Sequence, residues 1–302
     1  METRIRTALI NAVLRHRGRS FAAPEDRAAL DEWIKIQNAR PSAPDQPAED
    51  AGGLEFGHDV IAGIPVVEIG TEGAGPGGRT FVYVHGGSYV LDIAAEHWKQ
   101  IRRLVRTTGV TAVVPRYIAR SPGGPGAIVP RMADMLADVL ARSPRAVVVA
   151  ESAGGGVALA ACQALVARCE ALPEHLVMMS PWLDLTLSDP QVEADARTDL
   201  ALSRATLALS ARAYCAGIDP TDPVASPLNG PMLGLPPTTV FVGGAELVAS
   251  DSRRFAAAAR REGVAVELVE EPGLQHVYPY FPLLPQAARA RERIAHIVAG
   301  RG

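Results

Sequence analysis

From residue 79 onward, short apolar runs alternate with segments that are long and amphipathic enough to be helices. The short runs are rich in valine and almost free of charge, which is typical of strands buried on both faces. Strands separated by helices pair in parallel, because each crossover returns the chain to the same end of the sheet. The sequence therefore predicts an α/β fold with a mostly parallel central sheet and helices on both faces. The predicted strands cover 79–85, 109–117, 145–151, 175–182, 238–246 and 264–271, and the predicted helices cover 94–107, about 129–142, 154–170, 250–262 and 285–299.

Two parts of the chain do not follow this alternation. Residues 1–53 contain two helix-like segments, 3–17 and 24–39, followed by a stretch rich in proline, aspartate and glycine. Residues 184–226 interrupt the alternation with acidic, helical and proline-containing pieces. We predict a helical cap and linker over 1–53 and one α/β domain over 54–302, with a cap insertion at about 184–226.

The charge and hydrophobicity of the chain exclude several classes of protein. The formal net charge is −3, whereas nucleic-acid binding needs a concentrated basic surface. No stretch approaches the roughly 20 apolar residues of a membrane span. The basic N-terminus has a short uncharged run followed by arginines, which favours an amphipathic surface helix over a signal peptide. We expect neither a nucleic-acid partner nor stable membrane insertion.

Cysteine usage indicates the redox environment. Cys162, Cys169 and Cys215 form an odd set without a CxxC pair, so neither a disulfide scaffold nor a zinc site is expected. We interpret them as small buried apolar residues. The prediction is a cytoplasmic protein without a metal or another cofactor.

The stretch AVVVAESAGGG (146–156) places Ser152 where a predicted strand meets a predicted helix. A nucleophilic serine at such a junction needs strained backbone angles and small neighbours two residues away on each side. Here the neighbours are Ala150 and Gly154. The stretch alone is equally compatible with a small-residue helix packed closely against its sheet.

A glycine pair follows the first strong strand, in the segment HGGS (85–88). Gly86 and Gly87 would let backbone N–H groups point at a developing oxyanion without side chains in the way. Ala153 would add an N–H group from the first helical turn after Ser152. As an isolated motif, the segment is also compatible with a simple turn.

One of seven histidines lies where it could act as a base for the serine. His276 is in a loop between the last predicted strand and the last predicted helix. Glu246 directly follows the preceding predicted strand, and Asp251 lies five residues later. Both carboxylates fit the chain order serine, acid, histidine, and Glu246, directly beyond the strand, is better placed to orient the His276 imidazole. Asp251 stays the alternative acid, although its place near a helix start has a structural explanation.

Taken together, these motifs resemble the hormone-sensitive-lipase-like family of α/β-hydrolases over roughly 79–299. HGGSYV is similar to the family's HGGG segment, with Ser88 at the third glycine. AESAGGG is similar to its GDSAGG segment, with Ala150 and Glu151 as departures. Further similar segments are SPWLDLT (180–186), DPVASPLNG (222–230), GLPPTTVFVGGAELVASD (234–251) and GLQHVYPYF; the loop 117–127 departs from the pattern.

The resemblance implies an α/β-hydrolase fold with a Ser152, Glu246 and His276 triad. It also implies an oxyanion hole from Gly87, Ser88 and Ala153, with Gly86 allowing the turn. Residues proposed to line the substrate pocket are Tyr117, Trp182 and Tyr214, for which core packing is an equally good explanation.

The activity that the resemblance implies is hydrolysis of small carboxylic esters with short to medium acyl chains, through an acyl-enzyme. Alternatives are a deacetylase, amidase or lactone hydrolase acting on a specialised metabolite. A lyase, cyclase or ligand receptor on the same scaffold is a further alternative. A homodimer through the last helix or an edge strand is compatible with the family.

Overall fold

Eight strands form one sheet in the computed structural model, which describes residue 11 and residues 27–39, 52–72, 78–117 and 123–301. The strand order is β1-β2-β4-β3-β5-β6-β7-β8. The six strands β3 to β8 run parallel, while β2 pairs antiparallel with both β1 and β4. The strands are β1 (Leu54–Ile61), β2 (Ile64–Thr71), β3 (Thr80–Val84), β4 (Thr111–Pro115), β5 (Val147–Glu151), β6 (His175–Met179), β7 (Thr238–Gly243) and β8 (Val266–Glu271).

Helices cover both faces of the sheet, and each face has its own apolar core. Helices α2 and α8 pack on one face, and α3, α4 and α7 pack on the other. Alternate residues of β5 point to opposite faces of the sheet. Val147 and Val149 belong to the core under α2 and α8, and Val148 and Ala150 belong to the core under α3, α4 and α7. The described helices are α1 (Arg27–Asn38), α2 (Ala95–Thr108), α3 (Gly124–Arg142), α4 (Ala153–Ala167), α5 (Pro190–Asp195), α6 (Arg204–Cys215), α7 (Ala249–Arg261) and α8 (Pro285–Ala299).

The predicted α/β architecture is confirmed, and most predicted elements match the structure within a few residues. One helix was placed wrongly: α3 begins at Gly124 rather than near residue 129. Pro125 lies in its first turn, where the missing N–H of proline costs nothing, so a sequence that resembles a loop can start a helix. The predicted helix 3–17 lies almost wholly outside the described residues.

The segment between β6 and β7 contains α5, α6 and a 3₁₀ turn at Pro227–Asn229. This agrees with an interruption of the α/β alternation at about 184–226. The assignment of residues 1–53 and 184–226 as caps stays a prediction. Within the described residues, none of the helices has the length and apolar character that crossing a bilayer requires.

Helix α4 lies unusually close to the end of β3. A methyl group on Gly154, in the first turn of α4, would overlap the carbonyl oxygens of Val84 and His85. Those carbonyls belong to backbone that cannot move without disturbing the sheet. Gly154 is therefore required by the packing of α4, independently of any chemistry at Ser152.

We expect Gly154→Ala to destabilise the protein by about 1–3 kcal/mol, because the added methyl has no free space. Gly52→Ala is the matched control, since a methyl there meets no atom within 4 Å, and its effect should stay within about 0.5 kcal/mol. Urea unfolding of both variants measures the difference. Equal stabilities for the two variants would contradict the close approach.

Candidate active site

Three side chains that follow three different strands meet at the carboxyl edge of the sheet. Ser152 follows β5, Glu246 follows β7, and His276 follows β8. Parallel strands present their carboxyl ends at one edge, so residues far apart in sequence become neighbours. The structure brings together the three residues that the sequence singled out.

Ser152 occupies a strained turn between β5 and α4. Its φ and ψ angles are 51° and −126°, outside the regions that non-glycine residues ordinarily adopt. Its N–H donates to the carbonyl of Met179 at 2.9 Å, and its carbonyl accepts from Trp182 N–H at 3.1 Å. These backbone hydrogen bonds hold the strained conformation of Ser152. The Ser152 hydroxyl points toward His276 from the junction of β5 and α4.

His276 connects the serine to the carboxylate. Its Nε2 lies 3.0 Å from Ser152 Oγ, and its Nδ1 is hydrogen-bonded to Glu246 Oε2. Burial alone lowers the pKa of His276, but the Glu246 carboxylate outweighs it, and Asp199 and Glu151 act in the same direction. The net result is a pKa above the ordinary 6.5. A carboxylate on Nδ1 leaves Nε2 as the nitrogen that can accept a proton from the serine.

Glu246 is fully buried and is held by groups other than the histidine. Its Oε1 accepts hydrogen bonds from Ser180 Oγ at 2.7 Å and from Gly243 N–H at 2.9 Å. Ser180 Oγ also accepts from the N–H of Val277, directly after His276, at 2.9 Å. Ser180 therefore ties the acid to the histidine loop. The sequence reasoning missed it, although the segment SPWLDLT that begins with Ser180 was already marked by the family resemblance.

Asp251, the alternative acid, lies elsewhere. Its Oδ2 accepts from the N–H groups of Leu183 and Asp184 at 2.8 and 3.0 Å. Burial, together with the nearby Asp184 carboxylate, raises its pKa to about 7. Asp251 anchors the segment after β6, whereas Glu246 is the carboxylate in contact with His276.

The HGGS segment forms a tight loop beside Ser152. Gly87 has φ of +121°, and a methyl there would collide with Leu91, so only glycine fits. Ser88 also has a positive φ, 53°, at the position where the family pattern has glycine. Among the described residues, the N–H groups of Gly87, Ser88 and Ala153 have no hydrogen-bond acceptor. Gly86 differs, because its N–H donates to the Glu151 carboxylate.

Glu151, one of the two departures beside Ser152, connects this loop to α2. Its Oε1 accepts from Gly86 N–H and lies 3.1 Å from His97 Nε2. His97 Nδ1 accepts from Ala94 N–H at 2.8 Å, so its proton is on Nε2 and points to Glu151. Burial raises the pKa of Glu151, but the bonds from His97 and Gly86 outweigh it and bring the pKa below 4.5. The sequence did not single out His97, and this contact was missed.

The three residues proposed to line a substrate pocket are all buried. Tyr117 donates from its hydroxyl to the His85 carbonyl at 2.5 Å, behind the glycine loop. Trp182 donates to the Asp184 carbonyl at 2.9 Å, and Tyr214 stacks on Tyr89 with ring centroids 4.3 Å apart. These contacts indicate that the three side chains pack the core. That they also line a substrate pocket stays a prediction. Residues 118–122 of the departing loop lie outside the described part of the chain.

Metal chemistry has no support in the described residues, where no three histidine, cysteine, aspartate or glutamate side chains are grouped as a metal site requires. Cys162 and Cys215 are buried and Cys169 is exposed, and all three are free thiols. The prediction that all three cysteines are buried is therefore wrong for Cys169.

A parallel sheet with a serine on a strained strand–helix turn, a histidine and a carboxylate at its carboxyl edge defines an α/β-hydrolase. The chain belongs to the alpha/beta hydrolase fold family, whose model matches residues 81–280. Within it, the chain is of the hormone-sensitive-lipase-like type: a solved esterase of the bacterial hormone-sensitive lipase family is 27% identical, with a TM-score of 0.80 and 97% of each chain covered.

Two curated relatives extend the comparison. An acetyl-hydrolase of Streptomyces hygroscopicus is 35% identical over 220 residues, 71% of this chain and 73% of the relative. An esterase of Acinetobacter venetianus is 27% identical over 298 residues, 95% of this chain and 93% of the relative. The similarity to the second relative thus extends over nearly the whole chain.

The contact between Glu246 and His276 predicts the titration of the histidine. Glu246→Gln should lower the pKa of His276, because burial then acts without the main opposing charge. Asp251→Asn should leave that pKa unchanged. NMR titration of the histidine rings, with His276 assigned from a His276→Gln variant, measures both. A larger shift in Asp251→Asn than in Glu246→Gln would contradict the assignment.

Proposed function

We propose that this protein is a serine esterase that hydrolyses small carboxylic esters with short to medium acyl chains. The observation that carries the proposal is a chain of two hydrogen bonds, from Ser152 Oγ to the His276 ring and from the ring to the Glu246 carboxylate. A serine hydroxyl is a weak nucleophile unless a neighbouring base takes its proton, and this arrangement supplies that base. Membership of the family and the esterase and acetyl-hydrolase names of the relatives support the same conclusion.

In the first half of the proposed reaction, Ser152 Oγ attacks the ester carbonyl while its proton moves to His276 Nε2. The carbonyl oxygen becomes an oxyanion, which the N–H groups of Gly87, Ser88 and Ala153 are free to bind. The C–O bond to the alcohol then breaks, and the proton on Nε2 passes to the leaving alkoxide. The products of this step are an alcohol and an acyl group on Ser152.

In the second half, water replaces the alcohol. The water oxygen attacks the acyl carbonyl while His276 Nε2 takes a proton from the water. The bond between the acyl carbon and Ser152 Oγ then breaks, and Nε2 returns the proton to Ser152 Oγ. Glu246 stabilises the positive imidazolium in both halves. Because the base must be neutral, activity should be lost as the pH falls through the raised pKa of His276.

The preference for small acyl groups rests on similarity to the Streptomyces acetyl-hydrolase and on aromatic residues near the site. Tyr89, Trp182 and Tyr214 pack into one aromatic group on the α4 side of the sheet. A cytoplasmic location and a homodimer complete the proposal, the first from the cysteine usage and the second from the family.

Turnover of p-nitrophenyl esters should be highest for short acyl chains and should fall beyond medium chain length. No turnover at any length would contradict the general esterase and favour amide or lactone hydrolysis, or a non-hydrolytic role.

Ser152→Ala should abolish both hydrolysis and covalent labelling by an organophosphate. Labelling that persists in Ser152→Ala would show that the nucleophile is another residue.

Glu151 is proposed to act as a positioning residue for the oxyanion loop, through Gly86. Glu151→Ala should lower kcat by up to about 10²-fold with little change in KM, because a displaced loop loses oxyanion stabilisation. Glu151→Gln keeps an oxygen that can accept from both Gly86 and His97, so it should recover most of the rate. Steady-state kinetics and urea unfolding distinguish a positioning role from a purely structural one. A loss of stability without a loss of kcat in Glu151→Ala would contradict the positioning role.

A further inference from the structure

A cleft of about 370 Å³ lies between α2 and α8, on the sheet face opposite α4. Its volume falls within the range of small-molecule binding sites, roughly 300–1,000 Å³. Its floor is formed by side chains of β3, β5 and β6, including Val149 and Met179, and Leu104 and Ile294 contribute from the two helices. An apolar ligand segment would find contacts on three sides here.

Two hydroxyl groups in this cleft have no hydrogen-bond partner in the described part of the chain. The hydroxyls of Tyr83 and Tyr280 are shielded from solvent and make no hydrogen bond within the described residues. Tyr83 is only 2% exposed. Burial raises the pKa of Tyr280, so its hydroxyl keeps its proton and can act as a donor. Buried donors without acceptors are unfavourable, so these groups are better satisfied by a ligand that accepts hydrogen bonds.

The charge around the cleft favours an anion. Arg103, Arg291 and Arg301 line it, and among the described residues Glu292 contributes one carboxylate. Burial lowers the pKa of Arg291, and the positive charge of Arg103 lowers it further, so the two guanidinium groups repel each other. Arg291 Nε is also buried without a partner in the described part of the chain. An anion between the two arginines would relieve the repulsion and accept from Nε.

Arg291 also connects the cleft to the loop after His276. Its Nη1 donates to the Pro279 carbonyl at 2.5 Å and to the Phe281 carbonyl at 3.2 Å. Pro279 and Tyr280 themselves line the cleft. A ligand in the cleft would therefore contact the loop that carries His276.

We propose that the cleft between α2 and α8 is a second binding site, specific for a medium-chain carboxylate. The carboxylate would lie between Arg103 and Arg291 and accept from the two tyrosine hydroxyls, and the alkyl chain would pack against Leu104 and Ile294. The identity of the ligand rests on the proposed function in one respect: an esterase acting on medium-chain esters releases such carboxylates.

Octanoate is the probe, and the protein is first treated with diethyl p-nitrophenyl phosphate. This reagent transfers its diethylphosphoryl group to Ser152 Oγ and releases p-nitrophenol, which closes the active site to octanoate. Calorimetry on the blocked protein should show one octanoate bound per chain. Octan-1-ol and acetate should each bind at least about 10-fold more weakly, because octan-1-ol lacks the carboxylate and acetate lacks the alkyl chain.

Two variants test the residues. Tyr83→Phe removes an unpartnered hydroxyl, so it should fold normally and weaken octanoate binding by about 10-fold. Arg103→Gln should weaken binding as well, and it removes no ion pair of the described residues. Arg293→Gln, on α8 but outside the cleft and paired with Glu267, is the matched control and should bind as the wild type does.

Each possible failure has its own meaning. Absence of labelling at Ser152 would contradict the proposed function, and binding would then be measured on Ser152→Ala. Labelling with no octanoate binding, or binding that Tyr83→Phe and Arg103→Gln leave unchanged, would overturn the second site. Equal affinity for octan-1-ol would show that the cleft does not select an anion.

Discussion

The site depends on one carboxylate that hydrogen bonds hold in place where water cannot reach it. Glu246 is fully buried, and a buried charge is strongly unfavourable unless other groups donate hydrogen bonds to it. Here one oxygen is satisfied by Ser180 and Gly243, which leaves the other for His276. Removing the Ser180 hydroxyl would therefore leave Oε1 of this buried carboxylate with one donor, the N–H of Gly243. The raised pKa of His276 follows from this arrangement.

The same principle explains the second carboxylate beside Ser152. Glu151 is buried, yet its pKa is held low by His97 and Gly86. Asp251 is buried too, and burial together with the nearby Asp184 carboxylate raises its pKa to about 7. Two backbone N–H groups and the Arg254 guanidinium, 3.9 Å away, oppose that rise without cancelling it. Glu151 and Asp251 thus differ in pKa although both are buried, because the groups that donate to Glu151 outweigh burial and those around Asp251 do not. Glu246 contacts the histidine and Glu151 contacts the glycine loop, whereas Asp251 contacts neither.

Much of the fold could be predicted, because buried parallel strands and amphipathic helices leave strong periodic signals. The error at α3 arose because Gly124, Pro125 and Gly126 are typical of loops, although proline is also compatible with a first helical turn. The contact of Ser152, Glu246 and His276 was predicted from chain order and resemblance. Ser180 and His97 were not, since their roles depend on distances between strands and helices that leave no local pattern in the sequence.

The departures from the family pattern around Ser152 are consistent with one another. Ala150 is fully buried in β5, between Val84 and Met178, and its methyl is part of the core. Glu151, longer by one methylene than the usual aspartate, reaches both Gly86 and His97. A methyl on Gly86 would collide with that carboxylate, so glycine at 86 suits the longer acid. With Ala150 in the core, Ser152 Oγ lies 3.0 Å from His276 Nε2, and Glu151 connects the glycine loop to α2 through His97.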